Sequence, residues 1–293
     1  MKNLLFITLT ILAFTVGNGC SAQVIGSQGE DKVRVETKGD LKIYRNIRYA
    51  SRPDSFETDT SSDRLLDLYR PQSAEGKLPV IVFIHGGGFS GGDKKGTEAI
   101  CAKLSALGYA VLSINYRLES KRKKVSGGSA GANTAKGLPA NGRFQEPFRK
   151  AISSASEDTQ LALKWIKENA SEYKLNSSSV ALAGGSAGGM TALHTAYVSD
   201  QKVLPVKAVV NLWGALENAE IIKKGAPPVL TFHGDKDVLV HIDYAYAIKK
   251  QMEKTGNTLS QLHIMPGKGH ARYDIVANEK TAEIDAFLKK AFK

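Results

Sequence analysis

The sequence predicts a three-layer α/β fold, a mostly parallel sheet of about eight strands with helices on both faces. Three observations carry that expectation. Continuous apolar runs such as Pro79–Ile84 and Tyr109–Asn115 suit parallel strands covered on both sides. Segments of helical period lie between them, as in Ser153–Tyr173, where Leu161, Ala162, Trp165 and Ile166 form a stripe. Strand and helix then alternate to the C terminus, the pattern of a parallel sheet with crossover helices.

Taken in order, the chain opens with Met1-Lys2-Asn3 and the uncharged apolar run Leu4–Val16. That run is too short to span a bilayer but fits the apolar part of an export signal. Small residues follow, and cleavage after Ala22 is expected, giving a signal peptide over 1–22 and one domain over 23–293. Lipidation at Cys20 is the competing reading, weakened by Gly17 where a large aliphatic residue belongs; an N-terminal helix buried in the fold is a third. Beyond a polar leader, Leu41–Ala50 and Arg64–Arg70 read as an antiparallel start, divided by a Pro/Ser/Asp turn region. A helix over Thr97–Leu107 joins the two apolar runs named above. Val180–Ala183, Val206–Leu212, Val229–Phe232 and Gln261–Met265 supply four more strands, and a helix over Ala277–Phe292 closes the chain.

One segment breaks the alternation. Residues 119–152 are basic and Gly-rich without a period, too long for a plain connection. They read as a loop or cap over a site, or else as a disordered insert. In the first case the segment lies beside the site and tunes substrate choice without carrying chemistry. Phe144, Pro147 and Phe148 would then form an apolar wall, and Lys121–Lys124 a solvated run.

Composition narrows the classes. The 293 residues are 42% hydrophobic and 24% charged, which excludes a disordered tail, a coiled coil and a polytopic membrane protein. The net charge of +11 bears on solubility and steering rather than on fold. No nucleic-acid partner and no membrane span are expected. Of the two cysteines, cleavage leaves at most Cys101, expected as a buried small hydrophobe, so no disulfide is in prospect.

The chemistry gathers at three places. Val180–Ala183 leads into Gly184-Gly185-Ser186-Ala187-Gly188 and then a helical stretch. This is a G-x-S-x-G turn between strand and helix, which pushes a serine out above the sheet edge. Gly127-Gly128-Ser129-Ala130-Gly131 repeats the five letters, but no apolar strand leads into it, so Ser129 reads as a loop serine. His85-Gly86-Gly87-Gly88 follows a buried strand; there the backbone N–H groups of Gly87 and Gly88, with that of Ala187, can point at one oxyanion. A serine nucleophile needs an imidazole base held by a carboxylate. Asp237, after the strand Val229–Phe232, is the predicted acid, and Asp235 is expected to cap its own turn. His270, in the flexible loop after Gln261–Met265, is the predicted base. His85, His194, His233, His241 and His263 read as structural. No His, Cys, Asp or Glu set has metal-ligand spacing, so neither metal nor other cofactor is expected.

With these residues in place the chain resembles the α/β-hydrolase superfamily, and within it bacterial carboxylesterases of the hormone-sensitive-lipase-like and carbohydrate-esterase-like groups. The resemblance rests on Leu66–Pro71, His85–Phe89, Asn115–Leu118, Asp158, Trp165, Gly184–Gly189, His233-Gly234 with Asp237, and Gly269-His270, over about residues 60–275. It implies a Ser186, Asp237, His270 triad, oxyanion donors at Gly87, Gly88 and Ala187, and a small-molecule or carbohydrate ester as substrate. The chain departs from that pattern at 119–152, where hormone-sensitive-lipase-like members carry a short acidic link, so specificity is not implied. An exported serine peptidase and a non-catalytic protein on the same fold are the alternatives. Location is expected to be periplasmic or extracellular; oligomeric state is open.

Overall fold

The structure, a computed structural model, describes residues 33–54, 59–122 and 125–293, and the backbone alone of 14–16 and 20–25. The rest of the expected signal peptide lies outside the described residues, and so do Lys123 and Lys124. Within it, β1 (Phe14–Val16) and β2 (Cys20–Ile25) are short antiparallel strands beside β3 (Val33–Lys38). The predicted cleavage point, Ala22, stands in β2.

The remaining strands are β4 (Leu41–Arg48), β5 (Leu65–Pro71), β6 (Leu78–Ile84), β7 (Ala110–Ile114), β8 (Leu175–Gly185), β9 (Val206–Leu212), β10 (Val229–Gly234) and β11 (Gln261–Met265). They form one sheet of order β1-β2-β3-β4-β5-β7-β6-β8-β9-β10-β11. Pairs from β1 to β5, and β5 with β7, are antiparallel; every pair from β7 through β6 to β11 is parallel. The eight strands read from the sequence are all present.

β3 is a correction to the polar leader. Its Val33 and Val35 alternate with Arg34 and Glu36, and the charges are satisfied across the sheet, with Arg45 Nε donating to Glu36 at 3.1 Å. An antiparallel strand can carry polar groups on one face in this way, so no apolar run announces it.

The helices are α1 (Glu98–Ala106), α2 (Glu119–Arg122), α3 (Ala130–Thr134), α4 (Glu146–Asn169), α5 (Ala187–Tyr197), α6 (Asp243–Lys254), α7 (Tyr273–Ile275) and α8 (Thr281–Ala291). Along β6 the residues alternate between two cores. Val80, Val82 and Ile84 join residues of α4, α5 and α6, such as Leu163, Leu193 and Ile248, while Ile81 and Phe83 join Ile100, Leu104 and Phe287 of α1 and α8. The connection out of β6 runs by α1 to β7, and the one out of β7 returns by α4 to β8 on the other side of β6. Successive loops therefore diverge at the carboxyl ends of β6 and β8, and the crevice between them is where open parallel sheets hold ligands.

Two helix boundaries differ from the sequence reading. α4 begins at Glu146 rather than Ser153, because Pro147 sits in its first turn, where proline costs no hydrogen bond. Phe148, Ala151, Ile152 and Ala155 thereby join its buried stripe. The C-terminal helix divides into a π-helical turn, Val276–Lys280, and α8. What remains of 119–152 is two short helices with their linking turns.

Candidate active site

Ser186 sits between β8 and α5 with φ +56° and ψ −120°, a strained conformation of the kind that clusters at functional sites. Its N–H donates to Leu212 O of neighbouring β9 at 2.9 Å, which anchors the turn. Glycine at 184 and 188 follows from crowding. A Cβ on Gly184 would lie 2.7 Å from Ile84 O, and one on Gly188 would run into that same carbonyl. Strand, helix and β6 therefore meet only if both side chains are absent.

Ser186, His270 and Asp237 come together in a line. Ser186 Oγ lies 2.8 Å from His270 Nε2, and His270 Nδ1 lies 2.7 Å from Asp237 Oδ2. The other carboxylate oxygen accepts the N–H groups of Leu239 and Val240, both at 2.9 Å. Burial alone would raise the Asp237 carboxyl, but the His270 hydrogen bond and the two N–H donors outweigh it and hold it below the ordinary range. The acid therefore stays ionised, fixing the tautomer that leaves Nε2 free to accept from Ser186. His233 stands 3.5 Å from the same carboxylate, yet burial keeps it neutral and its Nε2 is engaged by Val240 O at 2.8 Å. It braces the turn.

Asp235 differs from its reading. It accepts the Gly267 N–H at 2.6 Å, while Lys236 N–H donates to Lys268 O at 2.9 Å. It thus ties the acid loop to the His270 loop instead of capping its own turn. Ser129 is not a bare loop serine either: its Oγ caps α3 by accepting Ala132 N–H at 3.2 Å.

Gly87 and Gly88 take φ of +121° and +61°, open to glycine at little cost, and Ala187 begins α5. Among the described residues none of their three N–H groups donates to a protein acceptor. His85 is buried and stacked on Tyr116 at 4.5 Å. Burial depresses its imidazole, and its Nδ1 meets Gly86 O at 2.6 Å, so it serves the loop as a neutral group. Among the described residues no cluster of His, Cys, Asp or Glu could hold a metal ion.

A cavity of about 1070 Å³ opens over Ser186 and His270. Segment 119–152 forms one wall of it, through Val125, Ser129, Ala130 and Pro147. The location is as read from the sequence; of the expected apolar wall only Pro147 faces the cavity. Phe144 and Phe148 turn into the core, packed edge-on to each other at 5.3 Å; the early start of α4 puts Phe148 on its buried stripe. The lining charges are Asp93, Glu119, Glu146 and Lys150, so the basic excess of the chain does not continue into the cavity.

The segment is also tied to the acid loop, which sequence reasoning missed. Thr134 Oγ1 lies 2.7 Å from Leu239 O, His241 N–H donates to Thr134 O at 3.0 Å, and Tyr244 Oη lies 2.8 Å from Gly137 O. All three acceptors are main-chain carbonyls, and nothing in the residue letters announces such contacts. Also missed were Trp213, ring to ring with His270 at 6.3 Å, and Tyr273, edge-on to Trp213 at 5.0 Å.

Comparison with known proteins adds independent support. The family model described as BD-FAE matches residues 66–128 and 140–212, and that of the Prolyl oligopeptidase family matches residues 206–293. The chain is 22% identical to the probable carboxylic ester hydrolase LipM of Mycobacterium tuberculosis over 86% of its own length and 63% of that protein. It is 30% identical to the carboxylesterase NlhH of the same organism over 45% of its length and 33% of that protein. The chain thus spans less than two thirds of the curated relatives it matches. Among solved structures it superposes on a truncated carbohydrate esterase from gut microbiota with a TM-score of 0.60 at 19% identity, covering 85% of this chain and 96% of that one. Butyrate-bound esterase 2 of Thermogutta terrifontis gives a TM-score of 0.62 at 21% identity, covering 82% and 94%. Both likenesses speak to the fold, and the order Ser, Asp, His along the chain is the one that architecture uses. Sheet order, strand-to-helix turn and the comparisons together identify the fold as that of the α/β-hydrolases.

Proposed function

We propose that the protein is a serine carboxylesterase acting on small-molecule or carbohydrate-linked esters. The observation that carries the proposal is the Ser186–His270–Asp237 line, 2.8 and 2.7 Å long, at the floor of the cavity. Ser186 gives its proton to His270 and attacks the ester carbonyl. The N–H groups of Gly87, Gly88 and Ala187 receive the oxyanion, and His270 passes the proton to the departing alcohol. Water then releases the acid by the reverse route. Asp93, Glu119 and Glu146 against Lys150 favour neutral esters over anionic ones and help the carboxylate product to leave. The test is hydrolysis of p-nitrophenyl acetate by the purified protein and its loss in Ser186→Ala. Full activity in that variant rules the proposal out.

A second reading, a serine peptidase, is favoured by the Prolyl oligopeptidase match over residues 206–293. Turnover of an aminoacyl anilide series faster than the matching esters would select it. Export is part of the proposal. It is supported by Leu4–Val16 and the small residues before Gln23. N-terminal sequencing of secreted protein beginning at Gln23 is the expected result, whereas a lipid-modified Cys20 would replace soluble export by anchoring.

A further inference from the structure

Lys94 stands at the foot of the loop that carries Gly87 and Gly88, and only 2% of its surface is exposed. Lysine is almost never buried to this extent unless it is paired. Its ammonium lies 2.7 Å from Asp67 Oδ1 of β5 and donates to Asn46 Oδ1 of β4 at 2.9 Å. Asp67 is itself fully buried, accepting Arg45 Nη1 at 3.0 Å and the Asn46 N–H at 2.9 Å. The Ser186 chemistry uses none of these groups. A buried ion pair is weak ground for stability, since apolar side chains of similar volume commonly replace one without loss. The pair is accounted for by what it holds in place.

Lys94 ends the return limb of that loop, and its backbone is fixed as well. Its N–H donates to Asn115 Oδ1 at 2.6 Å, its carbonyl accepts Thr97 Oγ1 at 2.8 Å, and Asn115 Nδ2 donates to Asp93 Oδ2 at 2.9 Å. From Asp93 the return limb lies directly against the outgoing one. A Cβ on Gly92 would run into Gly86 O and the His85 ring, and one on Gly87 would run into Gly91 O. The N–H groups of Gly91 and Ser90 both donate to Gly87 O, at 3.0 and 3.1 Å. That carbonyl shares its peptide unit with the Gly88 N–H. A trans peptide is planar, with C=O and N–H pointing opposite ways, so gripping Gly87 O sets the direction of the Gly88 N–H.

We propose that Lys94 is a positioning residue for the reaction. Its buried pair with Asp67 holds the return limb and, through Gly91 and Ser90, aims the Gly88 N–H at the oxyanion that forms over Ser186. This rests on the ester-hydrolase reading. An oxyanion donor acts on the transition state more than on the bound ester, so loss of aim falls on kcat rather than on KM. A merely structural role would lower the number of working sites and leave the rate at each one unchanged.

The test is Lys94→Met, which keeps the reach of the side chain and removes its charge, with Asp67 still held by Arg45. Sites are counted by stoichiometric labelling of Ser186 with a fluorophosphonate, and p-nitrophenyl acetate kinetics are expressed per labelled site. Outright loss of one oxyanion donor lowers kcat by about 10²–10³. The expected result of misaiming one is a fall in kcat of about tenfold to a hundredfold, with KM within about threefold of wild type. Affinity for an aryl trifluoromethyl ketone, which adds to the serine as a tetrahedral oxyanion, falls by the same factor as kcat/KM. Asn46→Gly removes one acceptor of the ammonium and suits the φ of +60° at that position; it should lower kcat about twofold to fivefold. Wild-type kcat per labelled site in Lys94→Met, or a loss confined to KM, overturns the inference and leaves the esterase reading intact, however far Tm falls. Should that variant give no folded protein, wild-type kcat per site in Asn46→Gly overturns it instead. Absence of ester turnover by the wild-type chain removes both.

Discussion

The tie between α3 and the acid loop gives a prediction of defined size. Thr134 is fully buried, and its single hydroxyl proton serves Ala130 O at 2.8 Å and Leu239 O at 2.7 Å. Thr134→Val keeps the shape and removes the donor. Leu239 O then loses its side-chain partner, at a cost of about 1–2 kcal/mol for a partly buried acceptor left short. For a chain of this size each kcal/mol is worth about 2–4 °C, so Tm should fall by about 2–8 °C. The same loop presents the Leu239 and Val240 N–H groups to Asp237. Loosening it should lower kcat about threefold to tenfold through misplacement of the acid, with a smaller change in KM. Melting followed by circular dichroism and p-nitrophenyl acetate kinetics read both effects. A variant with wild-type Tm and wild-type kcat would refute the coupling and leave 119–152 as a passive rim of the cavity.

Asp237→Asn should fold and lose roughly 10⁴ in kcat, since the imidazole tautomer is no longer held. Asp235→Asn should be far milder, because its amide oxygen can still accept the Gly267 N–H; reversed effects would show the acid misassigned. Gly188→Ala should yield little folded protein, as its Cβ meets the Ile84 carbonyl, and a variant melting like wild type would contradict that crowding. Burial holds the His194 imidazole down to about 4, with Arg149 adding to the effect. The unfolded chain therefore binds the proton first, and stability present above about pH 6.5 is lost as pH falls toward 4. His194→Gln should flatten the decline in Tm between pH 7 and pH 5, and an unchanged slope would exclude this histidine as its source.

Much of the architecture is legible because parallel strands buried on both faces must be apolar, as Val80–Ile84 is. β3 is not, since its buried Glu36 is held by exposed Arg34 beside it and by Arg45 of β4. The first turns of α4 are hidden behind Pro147, a helix breaker anywhere but at a first turn; that misreading also sends Phe144 and Phe148 to the wrong surface. The triad letters are readable because a strand-to-helix turn and strand-end loops have fixed chemistry. The choice between Asp235 and Asp237 depends on loop reach, and here the geometry joins Asp237 to His270. Contacts made through main-chain carbonyls, such as Leu239 O and Gly137 O, leave no trace in residue identity. The contact of the Tyr273 phenol with Gly185 is equally silent, because a glycine in that turn does not reveal what fills its space.

Two serines share one pentapeptide, and only Ser186 stands in line with His270 and Asp237. A solved form of Thermogutta terrifontis esterase 2 is phosphorylated by paraoxon, and the same reagent can be applied to this chain. Digestion and mass spectrometry of the treated protein should find one diethylphosphoryl group on the peptide carrying Ser186, with none on Ser129 and none in Asp237→Asn within the same exposure. A modified Ser129, or inactivation with Ser186 unmodified, would contradict the central claim.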